Sequence, residues 1–444
     1  MATELAVAEG LPEPQTATLP CGLRVVHMRI PGAVAIGASL GIDVGSADEP
    51  DEWAGISHFL EHLVFRGTRA YADSLAIGQA IEAVGGDFNA FTGKSYTQYI
   101  CSAPLEHREL VMQIPAELVV RPALRQQDVE DERPVVIREI GLEEDSAGRR
   151  ASRALEQGVW PGSTMARSII GRPDALRAVT AKEVRRYWAA HYVPAKATLG
   201  LAGDLSLEEA LELAGKAVGN WHPASAPPIP APSAPAFQSN GLVRVETMEG
   251  RQETVLALGA PVGAWRDIDH GATAVLATLA GDGEGSLTVR SLVRKQGLLL
   301  NGGALAWLNR DAGVLGLTGS ARPDGAVAAV EGIASVIRQL QQAPAGEDFR
   351  RAVGYARGEI LRQWLRPLDV AIQLCHQALM GDTEYGPLRD LHELAAVTPE
   401  QIQRLAQNVF APERLRLAVA GPAMDVARLE QALTTIPAPK RARR

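Results

Sequence analysis

His58, Glu61 and His62 are the residues of this chain best suited to do chemistry. They stand in the run Ile56-Ser57-His58-Phe59-Leu60-Glu61-His62-Leu63-Val64-Phe65, with apolar residues in the gaps and on both flanks. On a helix, residues four apart lie one turn apart on the same face. Two imidazoles so placed can both reach one zinc ion. Glu61 precedes the second His by one residue, where its carboxylate can reach a water held by that ion and take its proton.

A catalytic zinc takes three protein ligands and keeps a fourth position open. The third ligand is to be sought in the acidic stretch after Arg125, QDVEDERPVVIREIGLEED, which reads as a helix over residues 127–145. Glu132 and Glu139 stand seven apart in it, two turns along one face. Pro134 lies between them, and in a helix interior it removes one hydrogen bond. Either the helix starts near Glu132, or a kink at Pro134 helps to aim Glu139.

The rest of the chain must position these groups. At 444 residues, with 46% hydrophobic and 22% charged residues, the composition is that of an ordinary globular protein. A net charge of −8 and a pI near 5.7 argue against nucleic acid as a partner. The basic tail Lys440-Arg441-Ala442-Arg443-Arg444 reads as a solvated terminus. Cys21, Cys101 and Cys375 are too scattered for a disulfide framework, which fits a reducing compartment. The N-terminus lacks a signal-peptide pattern, and no run of 18 apolar residues occurs. The expectation is a cytoplasmic protein without a membrane partner.

Trp221 to Phe237, WHPASAPPIPAPSAPAF, reads as a semi-rigid linker between two halves, 1–220 and 238–444. The halves repeat at an offset of 218: Val179-Thr180 recurs as Val397-Thr398, Pro194 as Pro412 and Gly203 as Gly421. Thr180 and Thr398 read as helix N-caps, with Glu183 and Glu400 as their acidic partners. Each helix is followed by a Pro-bearing turn and a strand, ATLGLAG or LRLAVAG. Upstream, LRVVHM and AVAIGASLGI read as a strand pair, and residues 53–65, 73–84 and 105–119 as helices. Residues 88–102 read as strand, turn, strand. The predicted class is α+β: two homologous domains related by duplication, each an antiparallel-rich mixed sheet packed with helices. Only the first half carries H-x-x-E-H.

This order, inverted from H-E-x-x-H, is a zinc-peptidase pattern. With Glu139 after 76 intervening residues, it resembles the pitrilysin/insulinase family of zinc peptidases, which includes processing peptidases built of half-length subunits. Gly85-Gly86-Asp87-Phe88-Asn89-Ala90-Phe91-Thr92 and Tyr192-Val193-Pro194 with Gly203-Asp204 are similar to further family segments. The resemblance implies one Zn2+ per chain on His58, His62 and Glu139. It implies Glu61 as general base, Glu132 as the support of a ligand His, and Asn89, Ala90, Phe91 and Thr92 on an edge strand that binds substrate.

The family commonly also uses an Arg and a Tyr seven residues apart in its second half or in a partner. Here those positions are Val293 and Leu300, with Arg290 and Arg294 nearby. The resemblance therefore implies an endopeptidase subunit for short or unfolded peptides, completed by a homologous partner that carries the Arg/Tyr pair. A self-sufficient homodimer and a non-catalytic scaffolding subunit are the alternatives. The second is disfavoured because all of His58, Glu61, His62 and Glu139 are kept.

Overall fold

A computed structural model describes residues 12–222 and 241–437, which leaves most of the linker and the basic tail outside the described residues. The first half runs β1 (Gln15–Thr18), β2 (Arg24–Arg29), β3 (Ala35–Ile42), α1 (Ile56–Val64), α2 (Ser74–Glu82), β4 (Asp87–Thr92) and β5 (Thr97–Pro104). It continues with α3 (Arg108–Val120), α4 (Gln126–Glu144), α5 (Ala147–Val159), α6 (Pro173–Ala178), α7 (Ala181–His191), β6 (Ala197–Gly203) and α8 (Leu207–Val218). The second half runs β7 (Val243–Thr247), β8 (Thr254–Val262), α9 (His270–Ala280), a π-helical stretch (Val289–Lys295), β9 (Asn301–Leu308) and β10 (Gly313–Ala321). It ends with α10 (Ala326–Leu340), α11 (Gly346–Gln363), α12 (Pro367–Leu379), α13 (Pro387–Ala395), α14 (Pro399–Val409), β11 (Arg416–Gly421) and α15 (Val426–Leu433). Among these helices none is long and apolar enough to cross a membrane.

The two sheets have one plan. Their strand orders are β1-β2-β6-β3-β5-β4 and β7-β11-β8-β10-β9. In each, one parallel pair (β2 with β6, β7 with β11) adjoins an antiparallel run. The 218-residue offset carries the bounds of α7 onto those of α14 and the last residue of β6, Gly203, onto that of β11, Gly421. The α+β class and the duplication thus appear as the repeat predicted.

Three local expectations are corrected, and one of the two alternatives left open at Pro134 is removed. β2 and β3 are not a pair, because β6 lies between them, parallel to β2 and antiparallel to β3. The second capping box closes on Gln401 rather than Glu400: Gln401 is the third helical residue, and its side chain accepts from the Thr398 N–H at 2.7 Å. Helix α1 starts at Ile56 rather than residue 53, because Gly55 takes a left-handed φ of +100° and ends regular structure before it. And α4 begins well before Glu132 and runs through Pro134.

The chain packs as two compact units that do not follow its halves. Within the described residues, the first unit draws on residues 12–140, 167–222 and 361–389, and the second on 141–166, 241–360 and 390–437. Helix α12 of the second half therefore covers the sheet of the first unit, and α5 of the first half covers that of the second. Glycines make the first contact flush. A Cβ on Gly200 would come within 2.1 Å of the Ala371 carbonyl oxygen, and one on Gly37 within 2.4 Å of Leu368 Cα. On the opposite face of this sheet, Phe59, Leu60 and Leu63 of α1 are fully buried in the core. Each contributes about 2 kcal/mol of burial and fixes the face that α1 turns inward.

Candidate metal centre

The first turn of α1 is fixed from outside the helix. Gly55, at the N-cap, has no side chain to offer, so Glu49 reaches in instead. Its carboxylate accepts from the Gly55 N–H at 2.6 Å and from the Ser57 N–H at 2.7 Å. Burial pushes the Glu49 carboxyl up to about 7, against the pull of those N–H groups. From the next turns project His58, Glu61 and His62, and the rings of the two histidines meet edge to face with centroids 4.6 Å apart.

Helix α4 brings its carboxylates to the same place. Glu139 Oε2 lies 3.5 Å from His62 Nε2 and 3.9 Å from His58 Nε2. Ligand atoms of a tetrahedral zinc with ~2 Å bonds stand roughly 3.3 Å apart, so this trio needs only small shifts to close on an ion. Among the described residues it is the one group of three such side chains whose donor atoms lie within 4.8 Å of one another. Two neutral imidazoles and a carboxylate suit zinc well. The Glu139 side chain is 41% exposed, which leaves the trio open to solvent on its side.

The surroundings set the charge states. Burial, with the neighbouring His62, pulls His58 down to about 3, so its imidazole stays neutral and free to bind a cation. Burial also lowers His62, but the hydrogen bond and charge of Glu132, with Glu139 and Glu61, outweigh it and raise the ring overall. The His62 Nδ1–H donates to Glu132 Oε1 at 2.9 Å, which turns Nε2 toward Glu139. Arg66 Nη1 stands 3.5 Å from the other Glu132 oxygen. Burial raises the Glu61 carboxyl, the direction that suits a group taking up a proton near neutral pH.

The edge-strand residues divide. β4 is the outer strand of its sheet, paired on one side only, with β5. Thr92 turns toward α1, where its hydroxyl donates to Glu61 Oε2 at 2.5 Å. Ala90 is buried, and its N–H is met at 2.8 Å by the Asn89 side-chain oxygen. The Phe91 ring packs edge-on against Tyr96. In the second half, Val293 lies in the π-helical stretch and Leu300 is 53% exposed. Arg290 is held by both oxygens of Asp348, and Arg294 by both oxygens of Glu284. Sequence reasoning missed Glu49 and the Thr92–Glu61 bond. A helix preceded by Gly, with no Ser, Thr, Asp or Asn to cap it, was the available signal for the first.

A two-sheet α+β scaffold with an inverted H-x-x-E-H helix and a distal glutamate defines a metallopeptidase. The particular family follows from comparison with known proteins. Residues 24–172 match the model described as insulinase (peptidase family M16), and residues 178–354 match the peptidase M16 inactive domain. The chain belongs to peptidase family M16. It is 27% identical to an uncharacterised zinc protease of Streptomyces coelicolor, covering 92% of this chain and 89% of that one. It is 23% identical to a probable mitochondrial-processing peptidase subunit beta of Arabidopsis thaliana, over 94% of this chain and 80% of that one. The fold matches that of a protease from Helicobacter pylori with a TM-score of 0.86 at 21% identity, covering 93% of this chain and all of that one.

Proposed function

We propose that this chain is the zinc-bearing subunit of a metallo-endopeptidase acting on short or unfolded peptides. The observation that carries the reading is the convergence of His58 Nε2, His62 Nε2 and Glu139 Oε2 beside the carboxylate of Glu61. His58, His62 and Glu139 would hold one zinc ion, and Glu132 fixes the tautomer and direction of His62. The ion, when bound, supplies Lewis-acid activation of water and of the peptide carbonyl. Glu61 takes the water's proton on its carboxylate and delivers it to the leaving amine. The Thr92 hydroxyl keeps Glu61 Oε2 in place. A peptide would dock along the open edge of β4 by main-chain hydrogen bonds, with Asn89, Ala90, Phe91 and Thr92 as its contacts. Asn89 Oδ1 would leave the Ala90 N–H to the incoming strand.

A homologous partner completes the site in this reading. Val293 and Leu300 cannot grip substrate or a developing oxyanion, and both nearby arginines are engaged by acids. The Arabidopsis relative named as a beta subunit supports a paired assembly. Cys101 and Cys375 are buried free thiols, which supports a reducing, cytoplasmic setting. The test is to purify the chain alone and with its homologous partner and to measure peptide cleavage. Activity that rises on pairing is expected. Full activity of the lone chain, unchanged by the partner, would exclude the heterodimer.

A further inference from the structure

We infer that Glu49 is the positioning residue of the helix that carries His58, Glu61 and His62, and that it sets the geometry of the metal centre through the first turn of α1. The inference rests on the function proposed above. Glu49 is 2% exposed, and its two carboxylate oxygens bind Gly55 N–H and Ser57 N–H separately. Ser57 directly precedes His58. The hydrogen bond at that N–H, one arm of the two-oxygen Glu49 cap, therefore fixes where the first ring leaves the helix.

A helix that needed only a cap would carry Ser or Asp at position 55. Burying a carboxylate to do the same work is costly. The chain bears that cost because residue 55 is committed elsewhere. Gly171 lies flush against it: a Cβ on Gly171 would come within 2.4 Å of Gly55 Cα and 2.3 Å of the Ala54 oxygen. No side chain fits in that contact, and the φ of Gly55 favours glycine besides. The cap must come from a distance, and its bearer is anchored in turn. Arg167 Nη1 donates to the Glu49 carbonyl at 2.8 Å. The hydroxyls of Ser57 and Tyr187 share a hydrogen bond of 2.8 Å. The first turn of α1 is thus held by Glu49 and by α7 together.

The second unit shows the ordinary solution. Helix α9, which follows β8 as α1 follows β3, is capped by its own N-cap residue: Asp269 accepts from Ala272 N–H at 2.8 Å. That helix bears no candidate metal ligand beyond its first residue, His270. The remote, doubly bonded cap belongs to the helix with the chemistry.

The experiment compares full-length wild type with Glu49→Gln and Glu49→Asp. Four readings are taken: zinc affinity by chelator competition, the visible spectrum of the cobalt-substituted protein, kcat and KM on an unfolded peptide, and melting of the metal-free protein. Glu49→Gln keeps the size but turns an amide donor toward a backbone donor. It should weaken zinc about 10-fold, shift the cobalt bands, and lower kcat on the order of 10- to 100-fold with KM unchanged. Its metal-free melting should stay within a few degrees of wild type. Glu49→Asp, which keeps the charge, should recover part of each loss. A wild-type cobalt spectrum and zinc affinity in Glu49→Gln would overturn the inference. So would loss of the fold in both variants, which would make Glu49 a general support of the unit. A wild type that binds no zinc and cleaves no peptide would instead remove the underlying functional reading, and this inference with it.

Discussion

The two units share a strand order and differ in what they place on it. At the 218-residue offset, His58, Glu61 and His62 meet Leu276, Leu279 and Ala280, and Glu132 and Glu139 meet Arg350 and Arg357. Leu276, Leu279 and Ala280 are buried in the core of the second unit. One scaffold thus carries either an apolar helix or a helix with the candidate metal ligands at the same station. The difference teaches that the chemistry costs little in fold but much in side-chain support. The first unit adds a buried acid at the helix start, a carboxylate behind His62 and a hydroxyl on Glu61. The second unit needs only a local cap.

The largest expected effect falls on Glu61, one of the three α1 residues that meet an apolar residue in the second unit. Glu61→Gln should lower kcat on peptide substrate by about 10³-fold or more, with zinc content unchanged, as read by steady-state kinetics and metal analysis. Next comes the support of His62. Glu132→Gln should weaken zinc by roughly 10- to 100-fold in chelator competition, and the corresponding Arg350→Gln should leave zinc affinity as it was.

Acid should also separate the units. His27 and His191 are buried in the first unit and drawn down to about 4, mainly by burial. A lowered folded pKa means stability that is full above pH 6.5 and lost as pH falls from there toward 4. Each contributes about 3 kcal/mol across that window. Hydrogen exchange at pH 7 and pH 5 should show the first unit opening first, and His27→Leu should lessen the gap. The exchanged helices give a smaller contrast. Gly200→Ala, against the main chain of α12, should destabilise by about 1–3 kcal/mol in denaturant unfolding. Gly259→Ala, whose Cβ would meet Val314 Cγ1 at 2.8 Å and Leu155 Cδ2 at 3.3 Å, should cost less, because side-chain ends can give way. The smallest effect is expected from Asp269→Ala: about 1 kcal/mol of stability, with no change in zinc affinity.

The parts legible in the sequence were those written at short range or by repetition. His58 and His62 share a face because one helix carries both, and the duplication declared itself through Thr180 and Thr398. The insertion of β6 between β2 and β3 was not legible, since strand order depends on partners more than 150 residues away. Nor was the exchange of α5 and α12, because Gly37, Gly41 and Gly200 announce a close neighbour without naming it. Pro134 left two readings open. Its residue type suggests a helix boundary, yet α4 passes through it with buried Val129, Glu132, Val136 and Ile140 holding its inner face. Tertiary burial outweighed one missing hydrogen bond.

The central claim is that the first unit alone holds one zinc on His58, His62 and Glu139. Zinc content per chain, measured by mass spectrometry after removal of loose metal, tests it most directly in wild type, His62→Ala and Glu61→Gln. The account predicts about one zinc in wild type and in Glu61→Gln, and nearly none in His62→Ala. A chain without zinc, or a zinc that survives in His62→Ala, would contradict it.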